Sequence, residues 1–136
     1  MKYIDVQATI ENIDIVTNFV NTELKKYKCS KKAIVHIDII IDEIFGNIAK
    51  YAYKQSIGKA RVGIEVAENM DIAIITFIDS GKPYNPLLFK TPDILQGADE
   101  RQIGGLGIFL VKNMVDDISY EYLNSQNILK IKKCIE

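Results

Sequence analysis

Hydrophobic residues recur along the chain with two different periods, and these periods predict its elements. Between residues 10 and 27 the apolar positions lie three and four apart, which is typical of an amphipathic helix. The same spacing returns between residues 34 and 53, after Ser30, which is a natural N-cap. We therefore predict two consecutive helices, preceded by a short strand over residues 3–9.

Four further stretches, later in the chain, have the composition of strands. The first two are joined by a turn near Glu68 and Asn69, and the second is so rich in isoleucine that we expect it to be largely buried. The other two follow each other at the end of the chain. The predicted strands cover residues 60–67, 71–79, 117–123 and 128–135.

A long segment without periodicity separates the two pairs of strands. Residues 80–103 contain all three prolines of the chain and no sustained apolar spacing. Loops of this length are uncommon in compact domains, and many of them are lids or binding loops. After this segment we expect a third helix that opens at residues 104–107 and runs to about Met114.

The predicted order is one strand, two helices, two strands, the long loop, one helix and two closing strands. Hairpin-connected strands with helices set apart favour an α+β fold. We predict a two-layer α/β sandwich in which the helices pack on one face of a mixed, mostly antiparallel sheet.

Composition narrows the classes of function. The chain has 136 residues, a formal net charge of −1 and 48% hydrophobic residues, so we expect one globular domain over residues 1–136. The balanced charge gives no general attraction to nucleic acid or to an anionic membrane. Its apolar stretches are far shorter than the ~20 residues that cross a bilayer. Two cysteines and one histidine indicate neither a disulfide framework nor a zinc site, and we expect a cytoplasmic protein.

The second predicted helix carries three polar residues along one edge of its apolar stripe. Glu43, Asn47 and Lys50 follow each other at spacings of four and three, so they share a flank of a regular helix. One interpretation is an ordinary solvated boundary between the buried and exposed faces. The other is a base, a metal ligand and a phosphate contact that project into a pocket.

Two further features favour a binding site. Asp79 ends the apolar strand on the same face as Phe77, and Gly81 follows two residues later. This pair is either a common turn signal or a carboxylate at the bottom of a pocket, able to accept a hydrogen bond from an exocyclic amine. Three glycines among residues 104–107 come directly before an apolar helix, where backbone amides attract anions, although the same pattern is also typical of a hinge.

The order of these motifs resembles the GHKL ATP-binding superfamily, which includes gyrase, histidine kinases and mismatch-repair ATPases. Within it, the chain looks like the small anti-sigma-factor serine/threonine kinases of bacteria. The resemblance covers roughly residues 8–133 and implies the Bergerat fold of that superfamily. The matching stretches are DEIFGNIAKYAY (residues 42–53), FIDSGKPYNP (residues 77–86) and GGLGIFLVK (residues 104–112).

The resemblance implies a role for each residue of these motifs. It implies an ATP lid over about residues 85–103 and Mg²⁺ bound beside the phosphates of ATP. The roles implied are Glu43 as general base, Asn47 as Mg²⁺ ligand, Lys50 and Arg101 as cationic phosphate contacts, Asp79 as acceptor for the adenine amine, Gly81 as a wall of the base pocket, and Gly105, Leu106 and Gly107 as the source of amides for the phosphates.

The sequence also departs from the family pattern at two places. Tyr51 stands where anti-sigma kinases often carry His, and the last hairpin has Gln126, Asn127 and Ile128 where many members have a Gly-Thr pair. The Thr of that pair supports the adenine-binding Asp, and Asn127 is the residue that could supply its hydrogen bond here.

The resemblance implies an ATP-dependent protein kinase that acts on other proteins. We expect it to bind a sigma factor and to phosphorylate a STAS-domain anti-anti-sigma protein on serine or threonine. The alternative, based on the two departures, is a nucleotide-sensing or partner-holding module without phosphotransfer. An ATPase without a protein substrate and a homodimer formed through the sheet are further options that the sequence leaves open.

Overall fold

The computed structural model describes residues 1–54, 56–67, 69, 71–88 and 100–136, with residues 100–106 described by their backbone alone. Within this part, five strands form one sheet in the order β1-β2-β3-β5-β4, and all four neighbouring pairs are antiparallel. The two-layer α+β prediction is confirmed, with an antiparallel sheet in place of a mixed one. The strands are β1 (Lys2–Gln7), β2 (Lys59–Val66), β3 (Ile72–Asp79), β4 (Asp117–Leu123) and β5 (Gln126–Cys134).

In the described part of the chain, three α-helices accompany the sheet: α1 (Ile13–Leu24), α2 (Lys31–Asn47) and α3 (Glu100–Met114). The Ser30 hydroxyl accepts a hydrogen bond from the Ala33 amide at 3.0 Å, so the predicted N-cap of α2 is confirmed. Helix α2 does not continue as an α-helix to residue 53, because its last turn, Ile48–Ala52, is a π-helical turn. This wider turn changes which side chains share a face with the end of α2.

The core lies between the helices and the inner face of the sheet. Val16 and Val20 of α1 are fully buried, as are Ile37, Ile40 and Ile41 of α2. On β3, the residues that alternate with the outward-facing ones are also buried, which is expected for a strand with one face on the core. These inward residues of β3 are Ala73, Ile75, Phe77 and Asp79, and they are 0–6% exposed.

The start of α3 differs from the prediction. Helix α3 begins at Glu100, so the three glycines among residues 104–107 lie inside the helix instead of opening it. The residues before the glycines, from Glu100 to Gln102, are good helix formers, and this intrinsic preference explains the earlier start. The predicted loop therefore ends several residues sooner than its lack of periodicity indicated.

A two-residue turn joins β4 to β5. Asn124 and Ser125 both have a positive φ, at 53° and 61°, which is the geometry of a type I′ hairpin turn. Asparagine tolerates this conformation better than most residues. The turn brings Tyr122 of β4 opposite Asn127 of β5. None of the helices in the described part of the chain has both the length and the apolar character needed to cross a membrane.

Candidate functional site

A cavity of about 290 Å³ opens between the end of α2, the end of β3 and the start of β5. Its walls are largely apolar, and a small number of polar groups converge on it, as in most small-molecule sites. The segment that follows β3 forms one rim. The described residues that line the cavity are Ile44, Asn47, Ile48, Tyr51, Ala52, Phe77, Asp79, Lys82, Pro83, Tyr84, Pro86, Ile108, Tyr120, Asn127 and Leu129.

Asp79 is the buried carboxylate of this cavity and is only 6% exposed. Its Oδ1 accepts one hydrogen bond from the Gly81 amide at 2.9 Å and another from the Asn127 side-chain amide at 2.9 Å. Among the described residues, Oδ2 receives no hydrogen bond, although Asp79 lines the cavity. The carboxylate therefore has one oxygen held by the protein and one available to a ligand.

Burial raises the pKa of the Asp79 carboxyl, because water solvates the charged form better than the cavity wall does. The hydrogen bonds from Asn127 and Gly81 act in the opposite direction, since they favour the ionised form. Tyr53 lies nearby, and its hydroxyl accepts a hydrogen bond from the Ser80 amide at 2.8 Å. Burial, together with the charge of Asp79, raises the pKa of Tyr53, so Tyr53 stays neutral beside the carboxylate.

Asn127 connects Asp79 to two other parts of the site. It lies directly opposite Asp79 in the register of β3 and β5 and is 6% exposed. Its side-chain nitrogen also donates to the Lys82 carbonyl at 3.0 Å, and its side-chain oxygen accepts from the Tyr84 amide at 3.0 Å and the Tyr120 hydroxyl at 2.5 Å. Asn127 supplies the hydrogen bond that the sequence left open for it.

Two tyrosines at the rim were not among the predicted site residues. Tyr51, in the π-helical turn, and Tyr84, after β3, both line the cavity, and burial raises the pKa of Tyr84 with a smaller contribution from Tyr51. Tyr120 lines the cavity from β4, where Tyr120 and Tyr122 lie two residues apart on one face, which is the ordinary spacing of a strand. Nothing in that pattern shows which aromatic residue meets a site formed by distant segments.

Gly81 lies directly against the end of the π-helical turn. A Cβ atom at this position would collide with the Ala52 carbonyl oxygen and approach the Ala52 Cβ to 2.7 Å. The next amide, that of Lys82, donates to the same Ala52 carbonyl at 3.2 Å. Glycine is thus required by a close backbone approach, and this approach fixes the rim of the cavity to the end of α2.

The polar residues of α2 lie at the other end of the cavity. Asn47 lines it, while Glu43, one turn earlier, is half-buried where α2 meets α3. A Cβ atom on Gly107 would collide with the Glu43 carboxylate, so the glycine leaves room for that group. Among the described residues, neither Glu43 nor Asn47 forms a side-chain hydrogen bond.

The remaining predicted site residues either do not line the cavity or have no described side chain. Lys50 is exposed on the π-helical turn and does not line the cavity, because this turn departs from the regular helix that would put it beside Asn47. Gly105 and Leu106 lie within α3, and Arg101 lies in its first turn. The side chains of Arg101 and Leu106 are outside the described residues. The same holds for residues 89–99, which make up most of the predicted lid.

The sequence of this chain is similar to that of a known domain family. A profile described as the Histidine kinase-like ATPase domain matches residues 6–133. The chain belongs to this family. The resemblance to the GHKL superfamily is thereby confirmed, and an ATPase domain of this kind implies ATP binding. No curated protein matches the sequence.

Solved structures share the fold at low sequence identity. The structure of the RsbU and RsbW domains of Rv1364c from Mycobacterium tuberculosis is 14% identical with a TM-score of 0.67, over 99% of this chain and 33% of that one. A blue-light activated histidine kinase from Erythrobacter litoralis is 14% identical with a TM-score of 0.60, over 79% of this chain and 32% of that one. The chain thus spans about a third of both.

A histidine kinase catalytic domain has nearly the same extent as this chain. The nucleotide-free catalytic domain of the histidine kinase ThkA is 12% identical with a TM-score of 0.53, and the match covers 99% of this chain and 98% of that one. At such identities the likeness establishes the fold alone. The roles of individual residues in this histidine kinase-like ATPase domain therefore depend on its own geometry.

The donor set beside the cavity fits Mg²⁺ better than a transition metal. Mg²⁺ prefers oxygen ligands, keeps several waters and usually takes one or two protein ligands together with phosphate oxygens. Asn47 offers an amide oxygen at the cavity wall. No cluster of three or more His, Cys, Asp or Glu side chains occurs in the described part of the chain.

Proposed function

We propose that this histidine kinase-like ATPase domain is an anti-sigma regulatory factor with serine/threonine kinase activity. It would bind a sigma factor and transfer the γ-phosphate of ATP to a STAS-type antagonist protein. The observation that supports this most is the division of polar groups in one cavity. Asp79 lines it from the sheet and Asn47 lines it from the end of α2, while Glu43, one turn before Asn47, lies beside the cavity without lining it.

Asp79 is suited to recognise adenine. An ionised carboxylate in an apolar cavity accepts a strong hydrogen bond, and the exocyclic amine of adenine is a donor of the right kind. The cavity walls beside it, from Phe77 to Leu129, are apolar and accommodate a flat purine ring. We expect the base to occupy this side of the cavity, with the phosphates directed toward Asn47.

Asn47 and Glu43 divide the work at the phosphate side. Asn47 would hold Mg²⁺, which supplies positive charge to the β- and γ-phosphates when bound. Glu43 would accept the proton of a serine or threonine hydroxyl on the partner. The hydroxyl oxygen then bonds to the γ-phosphorus, the bond from that phosphorus to the β–γ bridging oxygen breaks, and ADP leaves.

Phosphotransfer to a STAS-domain protein tests this proposal. The protein is incubated with Mg²⁺, γ-labelled ATP and a STAS-domain protein from the same genome, and label on the STAS protein is measured. The Glu43→Gln variant keeps the shape of the side chain and removes the base, so we expect transfer to fall by about 10²–10⁴-fold while ATP binding persists. Asp42→Asn, at the exposed neighbouring carboxylate, is the matched control and should transfer normally.

Two outcomes contradict the kinase proposal. One is the absence of label on the STAS protein with the wild-type chain, and the other is equal labelling by the wild type and Glu43→Gln. If ATP binding by Glu43→Gln is lost as well, Glu43 has a role in binding and not as the base.

A second candidate function is a nucleotide sensor that holds a partner without phosphotransfer. It is favoured by the position of Glu43, which packs against Gly107 and does not line the cavity. In a sensor, the ATP-bound form and the ADP-bound form would bind the partner with different affinities. The STAS protein would remain unlabelled. Calorimetry with both nucleotides, with the partner present and absent, distinguishes the two functions.

A further inference from the structure

Positive charge is distributed unevenly along the chain. Residues 24–36 contain five lysines and no acidic residue. The whole chain has 17 Lys and Arg residues against 18 Asp and Glu residues, so the rest of the chain has 12 basic residues against 18 acidic ones. The near-neutral net charge is therefore the sum of a strongly basic segment and an acidic remainder, and such an asymmetry indicates a partner for the basic part.

The five lysines lie together at one end of the helical layer. The segment joins the end of α1 to the first turn of α2, and every one of the five is exposed. Helix α2 has 17 residues, so the cavity beside Asn47 is about 24 Å away at the other end of this helix. We name this surface the basic pole, and it consists of Lys25, Lys26, Lys28, Lys31 and Lys32.

Little of this charge is neutralised within the chain. The Glu23 carboxylate lies 3.1 Å from the Lys2 ammonium and 2.8 Å from that of Lys26. In the part of the chain that the structure describes, the other four lysines of the basic pole form no ion pair. Asp38 accepts a hydrogen bond from α1, and Glu136 follows a residue whose carbonyl accepts from the cap of α2. Two further acids therefore border the pole without pairing with its lysines.

The environment of His36 shows the positive field of this end of the molecule. His36 lies one turn beyond Lys32, and its Nδ1 is 2.9 Å from the Lys133 ammonium of β5. An ammonium group only donates, so Nδ1 accepts this hydrogen bond and the ring is neutral. Desolvation lowers the pKa of His36, and the charges of Lys133 and Lys32 lower it further. Lysines from α2 and β5 thus act on the same point beside the basic pole.

Val35 gives the basic pole an apolar neighbour. It follows Lys31 and Lys32 at spacings of four and three, which places it on their side of α2, and it is 55% exposed. Interfaces between proteins combine an apolar centre with a polar rim. Sites for single-stranded nucleic acid add aromatic stacking, and helices that bind a membrane surface add Trp, Phe or Leu. Residues 25–36 contain no Arg, Trp or Phe, so their composition favours a protein partner.

We propose that the basic pole and Val35 form a docking surface for an acidic segment of a partner protein, one that carries apolar side chains among its carboxylates. The carboxylates pair with the four unneutralised lysines, and an apolar side chain contacts Val35. This surface is separate from the cavity and does not depend on the proposed kinase activity. Because its lysines are exposed, salt screens the attraction and the binding is weak and fast.

Fluorescence anisotropy with a labelled peptide of glutamates interrupted by leucines tests the docking. The Lys31→Glu/Lys32→Glu variant should weaken binding by about tenfold, because two attractive charges become repulsive. Carboxylates are favourable in the first turn of a helix, so this variant should fold. Lys130→Glu/Lys132→Glu reverses two exposed lysines of β5 and is the matched control, which should bind as the wild type does.

The part of Val35 is measured with a second peptide that has glutamates alone. Val35→Ser should weaken binding of the leucine-containing peptide by about threefold and leave that of the poly-glutamate peptide unchanged. Ile15→Ser, at an exposed residue near the other end of α1, is its control. Equal loss for both peptides with Val35→Ser would contradict a contact between this side chain and the partner.

His36 reports where the peptide binds. It is the single histidine of the chain, so its proton resonances in an NMR titration are assigned without further variants. Carboxylates bound at the basic pole favour the charged imidazolium, and the pKa of His36 should rise when the leucine-containing peptide is bound. A pKa of His36 that does not change at saturating peptide would overturn the proposal, because the peptide would then be bound elsewhere.

Two further outcomes would also overturn it. One is tighter binding of an oligonucleotide of equal charge, or of phosphatidylserine vesicles, than of the leucine-containing peptide. The other is an equal loss of peptide binding in the Lys130→Glu/Lys132→Glu control, which would indicate a general attraction between charges. The kinase proposal fails differently, since absent phosphotransfer by a wild type that binds the peptide rejects the kinase and leaves the docking surface in place.

Discussion

The two ends of the cavity are built differently. At the base end, Asp79, Asn127 and the rim after β3 are joined by hydrogen bonds between strands and loop. At the phosphate end, Glu43 and Asn47 form no side-chain hydrogen bonds among the described residues. The base end is thus arranged before a ligand arrives, while the polar groups of the phosphate end have free capacity for a ligand and its metal ion.

The two ends of the cavity differ because their residues come from different kinds of secondary structure. The base end draws on two paired strands, in which the register places Asp79 directly opposite Asn127. The phosphate end draws on two helices that meet side by side, and a glycine at the contact makes space for a carboxylate. Strand pairing fixes positions through backbone hydrogen bonds, whereas a helix contact leaves its polar side chains more freedom.

Apart from the Glu43→Gln test described above, the largest effect is expected at the prearranged base end. Asp79→Asn removes the charge that accepts the adenine amine, and we expect ATP affinity to fall by about 10–100-fold, the range for a hydrogen bond to a charged group. Calorimetry with Mg-ATP measures this. Asp117→Asn, at an exposed aspartate of β4, is the control. An unchanged affinity for Asp79→Asn would contradict the assignment of the base end.

The second prediction concerns the stability of the same end. Gly81→Ala places a methyl group against the Ala52 carbonyl, and since backbone must move, we expect the free energy of unfolding to fall by about 1–3 kcal/mol. Denaturation in urea measures the change. Gly46→Ala is the matched control, because a Cβ there meets nothing within 4 Å inside α2, and it should stabilise by up to ~1 kcal/mol. Equal stability of the two variants would show that the close approach is not required.

The third prediction moves to the phosphate end. Gly107→Ala pushes the Glu43 carboxylate aside, and because this is the flexible end of a side chain, folding should be little affected. Phosphotransfer should fall by about tenfold, which corresponds to about 1.4 kcal/mol in the barrier. The labelling assay measures the rate at saturating ATP. A normal rate would mean that the position of Glu43 beside Gly107 has no part in the transfer.

The smallest effect is a pH dependence at the base end. The pKa of the Asp79 carboxyl is raised in the folded state, so its protonated form is favoured there, and its ionisation lowers stability as pH rises through the folded pKa. The stability of the wild type relative to Asp79→Asn should therefore increase as pH falls toward 4. Tyr53, the nearby phenol, does not titrate in this range, because the ordinary pKa of a phenol lies far above it and burial raises the pKa of Tyr53 further. Thermal unfolding at several pH values measures the midpoint difference, and a constant difference would contradict the raised pKa.

Much of the fold was predictable because apolar spacing reports which face of an element is buried. The pairs of strands, helices α1 and α2 and the Ser30 cap all follow from local patterns. The start of α3 was not predicted correctly from local patterns. Its glycines indicated a helix boundary, but the residues before them favour helix. The π-helical turn did not follow either, because Ile44 and Ile48 keep a normal helical spacing up to its first residue.

A site residue could be predicted where it lies next to the end of a regular hydrophobic pattern. Asp79 at the end of β3 is such a case. Tyr120 was missed because it is ordinary in β4 and becomes part of the site only through strand pairing. Tyr84 was missed because it lies in the segment after β3, where the sequence has no periodicity to indicate its position. Asn127 was foreseen as a partner of Asp79, but its contacts with the rim depend on a tertiary arrangement that spacing does not report.

The π-helical turn Ile48–Ala52 links the two ends of the cavity in a way that matters for how such domains diverge. Asn47 precedes it, and Tyr51 and Ala52 form part of the base-side wall. π-Helical turns are wider than α-helical ones by about one residue. Deletion of a single residue here would rotate the base-side wall of the cavity relative to Asn47. One deletion would therefore change the selectivity for the base while Glu43 and Asn47 stay the same.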